Sequence, residues 1–508
     1  MIVDSPIAES LQSERSNGSN VPLWLAMVLA AAAGGLGWGI RGQYGHETGA
    51  MIPGLLVALV LVFLFCPRTS SLRAARVVAM TAVAFSFGGA MTYGQTVGLT
   101  HDVELRGNWP ALGWGMLGLF VKGGIWIGLG GAFLGMGLSA RRYRPLEIMC
   151  LLFSMTGLLF VGLYLVNEPF NPSEKTLPNF YFSDHWDWEP DKTDLRPRRE
   201  QWGGLLFALL GLMAYLSWIK KDLLARNMAF WGIVAGGCGF TLGQSVQAFH
   251  AWNAESFGSR PFAGIDRYMN WWNMMEIFFG FVLGGGLALG MRLNRRLIAA
   301  NDSKADSDHG GDVEISPAIE WTLLFVHAGA LAAWSFMSFS RFDTIADQSL
   351  TMGLIPLIAV FAGRYWPYLL SFPLLALPIA GKTLRQLSYR SDTVPTVEGW
   401  IWLFLVPMAV MVAAALCFLR LQRRGQTARS FARWGLLCCA WFYFAINFAF
   451  FDLPWPWAPP TFRTPSGIVM FIFTAILTVA ALTWGWREPA TAIPALEAEE
   501  GSASVEDP

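Results

Sequence analysis

Apolar runs of about 20 residues follow one another from Val21 to Trp486, separated by short polar breaks, and each is long enough to span about 30 Å of hydrocarbon. Lipid offers backbone groups no hydrogen-bond partner, so every such run must be a helix. The chain is 54% hydrophobic and 14% charged, with too few charges to coat a soluble globule of 508 residues. These features define an all-α polytopic membrane protein, with the lipid bilayer as its first partner. A formal net charge of zero leaves no basic face for phosphates and argues against nucleic acid as a partner.

Fourteen spans are expected, over 22–40, 50–66, 76–100, 112–139, 147–166, 202–219, 228–250, 271–291, 318–340, 350–363, 367–381, 400–419, 435–451 and 467–485. The connections carrying Arg68, Arg73 and Arg76, then Arg141, Arg142 and Arg144, then Lys220, Lys221 and Arg226, then Arg292, Arg295 and Arg296 all follow even-numbered spans. The positive-inside rule makes those loops cytoplasmic, with both termini inside and the plasma (inner) membrane as the location. The pair 350–363 and 367–381 fits least well, because each is short and Lys382, Arg385 and Arg390 would lie outside. A re-entrant segment in place of one span would relieve this.

The expected organisation is a cytoplasmic tail over 1–21, an eight-helix membrane domain over 22–300 with an outer loop at 167–201, a polar linker over 301–317, a six-helix membrane domain over 318–486 and an acidic, disordered tail over 487–508. The six cysteines all fall in or beside apolar spans and read as packing residues rather than a disulfide framework or a metal knuckle.

One pattern recurs inside the first eight spans. A Gly-Gly pair is followed by Gly-Gln-Thr/Ser-Val and then His in Gly88, Gly89, Gly94, Gln95 and His101, and again in Gly236, Gly237, Gly243, Gln244 and His250. Each copy leads into a glycine-rich return helix, LGGAFLGMGLSARR from Leu129 and LGGGLALGMRLNRR from Leu283. Gly34, Gly35, Gly42, Gln43 and His46 form a looser third copy, which predicts same-orientation helix hairpins related by an axis along the membrane normal.

These helix ends carry the candidate chemistry. Gln43, Gln95 and Gln244 are expected to line one outward-facing vestibule, since a glutamine amide both donates and accepts and glycine lets backbone approach a ligand. The competing structural account is that the glycines pack helices and each glutamine bridges two of them. His46 with Glu47, His101 with Asp102, and His250 set imidazoles beside carboxylates for hydrogen bonding or proton transfer. No two of these histidines have the i, i+4 spacing of a helical metal site, so no metal and no cofactor is expected. Arg41, directly before Gly42, is the natural group for an anionic solute, its bland alternative being an interfacial anchor.

Lys122 and Glu276 lie inside predicted spans, where an unpaired charge costs about 2.5–3.5 kcal/mol. Aligning the return helices puts them within a residue or so of each other, so an ion pair between them, or coupling to a proton or ion, is expected. In the outer loop, Phe180, Tyr181, Phe182, Trp186 and Trp188 interleave with Asp184, Asp187 and Glu189. This composition suits stacking on sugar rings, or equally a lid or interfacial belt. Nucleotide-binding, zinc-protease and serine-hydrolase signatures are missing.

The favoured function is an ion-coupled transporter or permease for a small polar, anionic or sugar-like solute. Arg41, Gln43, Gln95, Gln244, His46, His101 and His250 would contact solute, Glu47, Lys122 and Glu276 would couple the ion, and the last six spans would be scaffold or a homo-oligomerising surface. The alternative is an integral membrane transferase or hydrolase whose His46, Glu47, His101 and Asp102 supply acid/base groups and whose Arg41 stabilises negative charge.

Overall fold

The computed structural model describes residues 21–66, 69–259, 261–298, 314–337, 349–451 and 456–484. The expected amino-terminal tail, linker and acidic tail lie wholly or largely outside them. The described residues are helical with no strand beyond two isolated bridges, Ser70 with Thr427 and Asn171 with Thr176.

The first region builds α1 (Leu23–Arg41), α2 (Glu47–Phe65), α3 (Ser71–Phe87), α4 (Gly94–His101), α5 (Trp109–Leu138), α6 (Pro145–Val166), α7 (Trp202–Ala214), α8 (Leu223–Trp252) and α9 (Trp271–Leu293). The second builds α10 (Pro317–Phe336), α11 (Leu354–Ala362), α12 over Trp366–Arg390, α13 over Thr396–Gln422, α14 (Ala428–Phe450) and α15 (Thr464–Trp484). Starts are set by side-chain caps: Asn108, Asp222 and Asn270 accept the Ala111, Ala225 and Asn273 N–H groups at 3.1, 3.0 and 2.9 Å, opening α5, α8 and α9.

Eleven of the described helices are long and apolar enough to cross a membrane, fewer than the fourteen expected. Three of the expected spans, 228–250, 318–340 and 350–363, are not among the eleven. The 350–363 stretch holds the nine-residue α11, too short to span, while α12 runs far past residue 381. Helices α8 and α10 are not among the eleven, although α8 has 30 residues and packs between α5 and α9. The 76–100 stretch is not one helix: α3 ends in a tight turn at Gly88–Ala90 and the chain restarts as α4. At that break the backbone lies against a ring, since a Cβ on Gly88 would lie 2.1 Å from Trp126. The Trp126 indole in turn donates to the Phe85 carbonyl at 2.6 Å.

Six helices close into a ring in the order α1, α2, α3, α5, α8, α9, with α9 packing back on α1. Glycines set how near they come. A Cβ on Gly34 of α1 would lie 2.1 Å from the Gly280 carbonyl of α9, and one on Gly236 of α8 would lie 2.1 Å from the Gly123 carbonyl of α5. Inside the ring, Trp38, Trp126, Phe240 and Phe279 meet: Trp38 packs edge-on to Phe279 at 4.2 Å, and Phe279 stacks on Phe240 at 4.7 Å. Helices α6 and α7 form a hairpin against α5, while α14 and α15 pack on α1. All six cysteines are free thiols.

Candidate functional site

The sequence motif of α1 ends on Arg41, whose guanidinium is turned into the ring with 1% exposure. It lies 5.5, 5.2 and 5.1 Å from the rings of Trp38, Tyr93 and Trp126, an aromatic cage on its faces. Its edges are met by acceptors. Nη1 donates to the Tyr93 hydroxyl at 2.5 Å and to Glu276 Oε1 at 3.2 Å, and Nη2 donates to His46 Nδ1 at 2.6 Å. The Arg41 Nε is buried without a partner.

Each partner is placed by a local device. Tyr93 lies in the break between α3 and α4, which swings its ring under the guanidinium. Glu276 faces Gly42, where a Cβ would lie 2.5 Å from Oε2, so a side chain after Arg41 would have to displace the carboxylate. Asn273, one turn before Glu276, donates to the Gly39 carbonyl at 2.7 Å and to Glu276 Oε2 at 3.4 Å, tying α9 to α1.

His46 lies outside the spans, at the start of α2. Part of the residue remains at the surface, yet loss of water around the ring, with the Arg41, Lys382 and Arg198 charges, pushes its pKa down to about 3. The imidazole is therefore neutral at physiological pH, and because Arg41 donates to Nδ1, the proton is on Nε2. Next to it, Glu47 lies within electrostatic reach of both Arg41 and Lys382. Glu47 also lines a cavity of about 40 Å³ that reaches His327 of α10, room for about three waters.

Lys122 and Glu276 do not pair with each other. The partner of Lys122 is Glu200, at the end of the loop before α7, at 2.6 Å with both side chains 1% exposed. The other two ammonium protons go to the Thr92 carbonyl and the Thr96 hydroxyl, each at 2.7 Å, so all three donors are used. Glu200 also accepts from Ser183, the Phe182 N–H and the Trp202 indole. This fully satisfied pair fastens the loop to α5.

The three glutamines have different surroundings. Gln43 is half-buried in the turn after α1. Gln95 clamps the loop backbone, donating to the Arg196 carbonyl at 2.9 Å and accepting from the Arg198 N–H at 3.0 Å. Gln244 is fully buried and donates to the Thr100 hydroxyl at 2.6 Å, bridging α8 to α4. His101 bonds the Val97 carbonyl at 2.9 Å, one turn back on its own helix. His250 stacks on Trp271 at 4.3 Å and faces Asp266 at 2.8 Å. Of the residues singled out from sequence, the structure thus brings Arg41, His46 and Glu276 into one hydrogen-bonded cluster, with Glu47 beside it. Among the described residues no group of three His, Cys, Asp or Glu side chains is placed to hold a metal ion.

Sequence reasoning missed Tyr93, Asn273 and Glu200. Tyr93 had a signal, because it interrupts the motif between Gly89 and Gly94; Glu200 had a weaker one, as an acid at the threshold of a span.

The chain matches no family model, no curated protein and no solved structure. Fold and site together define a multi-pass α-helical membrane protein with a buried Arg-Glu-Tyr cluster, bonded to His46 at the surface, at one end of a helical ring.

Proposed function

We propose that the protein is a secondary transporter for a small anionic solute, coupled to a proton. The observation that carries this reading is the Arg41–Glu276 pair, a planar guanidinium whose counter-ion can be neutralised by one proton. With Glu276 ionised, the pair is self-satisfied and the site is closed to anions. Protonated Glu276 releases Arg41, whose fork and unused Nε then suit a carboxylate or phosphate. Solute and proton would thereby load together and leave together. Beside the pair, Glu47 is a second carboxylate within reach of Arg41, and it also lines the small cavity that reaches His327.

In this reading the α1–α2, α3–α5 and α8–α9 hairpins are three copies of one unit about an axis along the membrane normal. Supporting it, the Gly-Gly pair of each copy meets the return helix of the hairpin before it in the ring: Gly34 on Gly280, Gly89 on the start of α2, and Gly236 on Gly123. With the arginine-rich connections inside, the cluster faces the outer side of the plasma membrane.

The test is proteoliposome uptake of lactate, succinate, glutamate and inorganic phosphate, with and without an inward proton gradient. Uptake of one of them should rise with the gradient in the parent protein, lose that dependence in Glu276→Gln, and vanish in Arg41→Ala. Uptake indifferent to the gradient and to Glu276→Gln would refute the coupling.

A membrane transferase or hydrolase is favoured by one observation: His46 holds Arg41 at 2.6 Å and adjoins Glu47, so a carboxylate base and an oriented anion stabiliser share the mouth of the site. Chemical change of the solute by purified protein, abolished in His46→Ala, would select that reading over transport.

A further inference from the structure

The loop between α6 and α7 holds a second concavity, separate from the Arg41 cluster. Its volume is about 610 Å³, within the usual range of small-molecule sites, and its walls include Trp114, Tyr181, His185, Trp186, Asp187 and Trp188. An interfacial belt would turn such rings toward lipid headgroups. Here they are built inward: Tyr181 is 3% exposed, and the Trp114 indole donates to its carbonyl at 2.7 Å. The Tyr181 hydroxyl donates to the Arg198 carbonyl at 2.8 Å, and the Lys122–Glu200 pair anchors the segment below. The loop is therefore a rigid, folded wall.

We propose that this cleft binds a saccharide of one or two pyranose rings. A pyranose has an apolar C–H face and a rim of hydroxyls, so it needs one aromatic face and nearby polar groups. Trp186 and Trp188 supply aromatic faces, and the exposed carboxylate of Asp187 and the amide of Asn179 supply acceptors and donors at the rim. The Lys175 ammonium, 5.8 Å above the Trp186 ring, is one more hydroxyl partner. A flat base is held best between two parallel rings, whereas a pyranose needs only one face. The rings around His185 are not so arranged: it meets Tyr181 at 64° and Trp188 at 61°. The proposal does not rest on transport, since the cleft is formed by the loop, Trp114 and no residue of the Arg41 cluster.

The test is a tryptophan-fluorescence titration of the full chain in nanodiscs with D-glucose, D-galactose, N-acetyl-D-glucosamine and maltose, and with adenosine for comparison. At least one sugar should give a saturable change. That change should be lost in Trp186→Ala and weakened about ten-fold in Asp187→Asn, a near-isosteric change at an exposed position that keeps the fold. Trp457→Ala, at an exposed tryptophan outside the cleft, should leave it unchanged. No saturable response to any sugar, a response only to adenosine, or a sugar response unaltered in both cleft variants would overturn the proposal.

Discussion

Arg41 and Glu276 stand 235 positions apart in the chain, yet their side chains meet at 3.2 Å with 1% and 3% exposure. A buried pair of this kind is costly to break from one side, because the survivor keeps its charge without a partner; the loss is about 3–5 kcal/mol. Glu276→Ala and Arg41→Ala should each lower the apparent melting temperature in detergent sharply. Arg41→Met combined with Glu276→Leu should recover much of that loss while leaving uptake abolished. Additive losses in the double variant would contradict the pairing.

Glycine positions separate packing from function. A Cβ on Gly280 would lie 2.1 Å from the Gly34 carbonyl, and backbone cannot step aside, so Gly280→Ala should cost about 1–3 kcal/mol by overpacking. At Gly42 the atoms in the way belong to the Glu276 carboxylate, which can swing. Gly42→Ala should therefore keep most stability and disturb transport in the manner of Glu276→Gln. Gly157→Ala, with no atom within 4 Å of its new methyl, is the neutral control for both measurements.

Lys122 and Glu200 act as a fastener for the loop. Glu200→Ala should speed proteolytic cleavage within 167–201, and Gln95→Ala, which removes two bonds to loop backbone, should do so to a smaller degree. Uptake in Glu200→Ala that tracks the amount of folded protein would mark the pair as structural.

Two groups outside the spans give opposite pH signatures. Burial and the Asp102 carboxylate raise Asp184 to about 6, so its contribution to stability is full below its unfolded value near 3.8 and is lost as pH rises through about 6. Asp184→Asn should melt higher than the parent at pH 7.5, with the gap closing by pH 4. His46 is held down, to about 3, so the unfolded chain takes its proton first and stability falls as pH drops below about 6.5. His46→Gln should flatten the acid side of the melting profile between about pH 6.5 and 3. Neutral His46 also predicts that any pH dependence of uptake between 6 and 8 survives this substitution.

Much of this molecule was legible along the chain. The expected 22–40 and 202–219 spans match Leu23–Arg41 and Trp202–Ile219 closely. Arg41 and His46 stood out as polar groups at the end of an apolar helix, and Glu276 as a charge inside a span, where it needs a partner. Which partner each one found was not legible. Lys122 and Glu276 occupy corresponding places in two return helices, so they are held apart by the ring order that brings α9 onto α1 and leaves α5 facing the loop. Likewise Gln95 and Gln244 share a motif, but a broken helix sets one against the loop backbone and an unbroken one sets the other against Thr100.

The sequence by itself determined that this chain is a bundle of membrane helices with polar ends, because lipid leaves an apolar run of that length no other way to satisfy its backbone. Only the tertiary structure decided which ends meet. Closing six helices into a ring selects neighbours by glycine contacts and aromatic packing at separations of up to hundreds of residues. A hydrogen bond is made or lost within about 1 Å of displacement, finer than any one-dimensional spacing can specify.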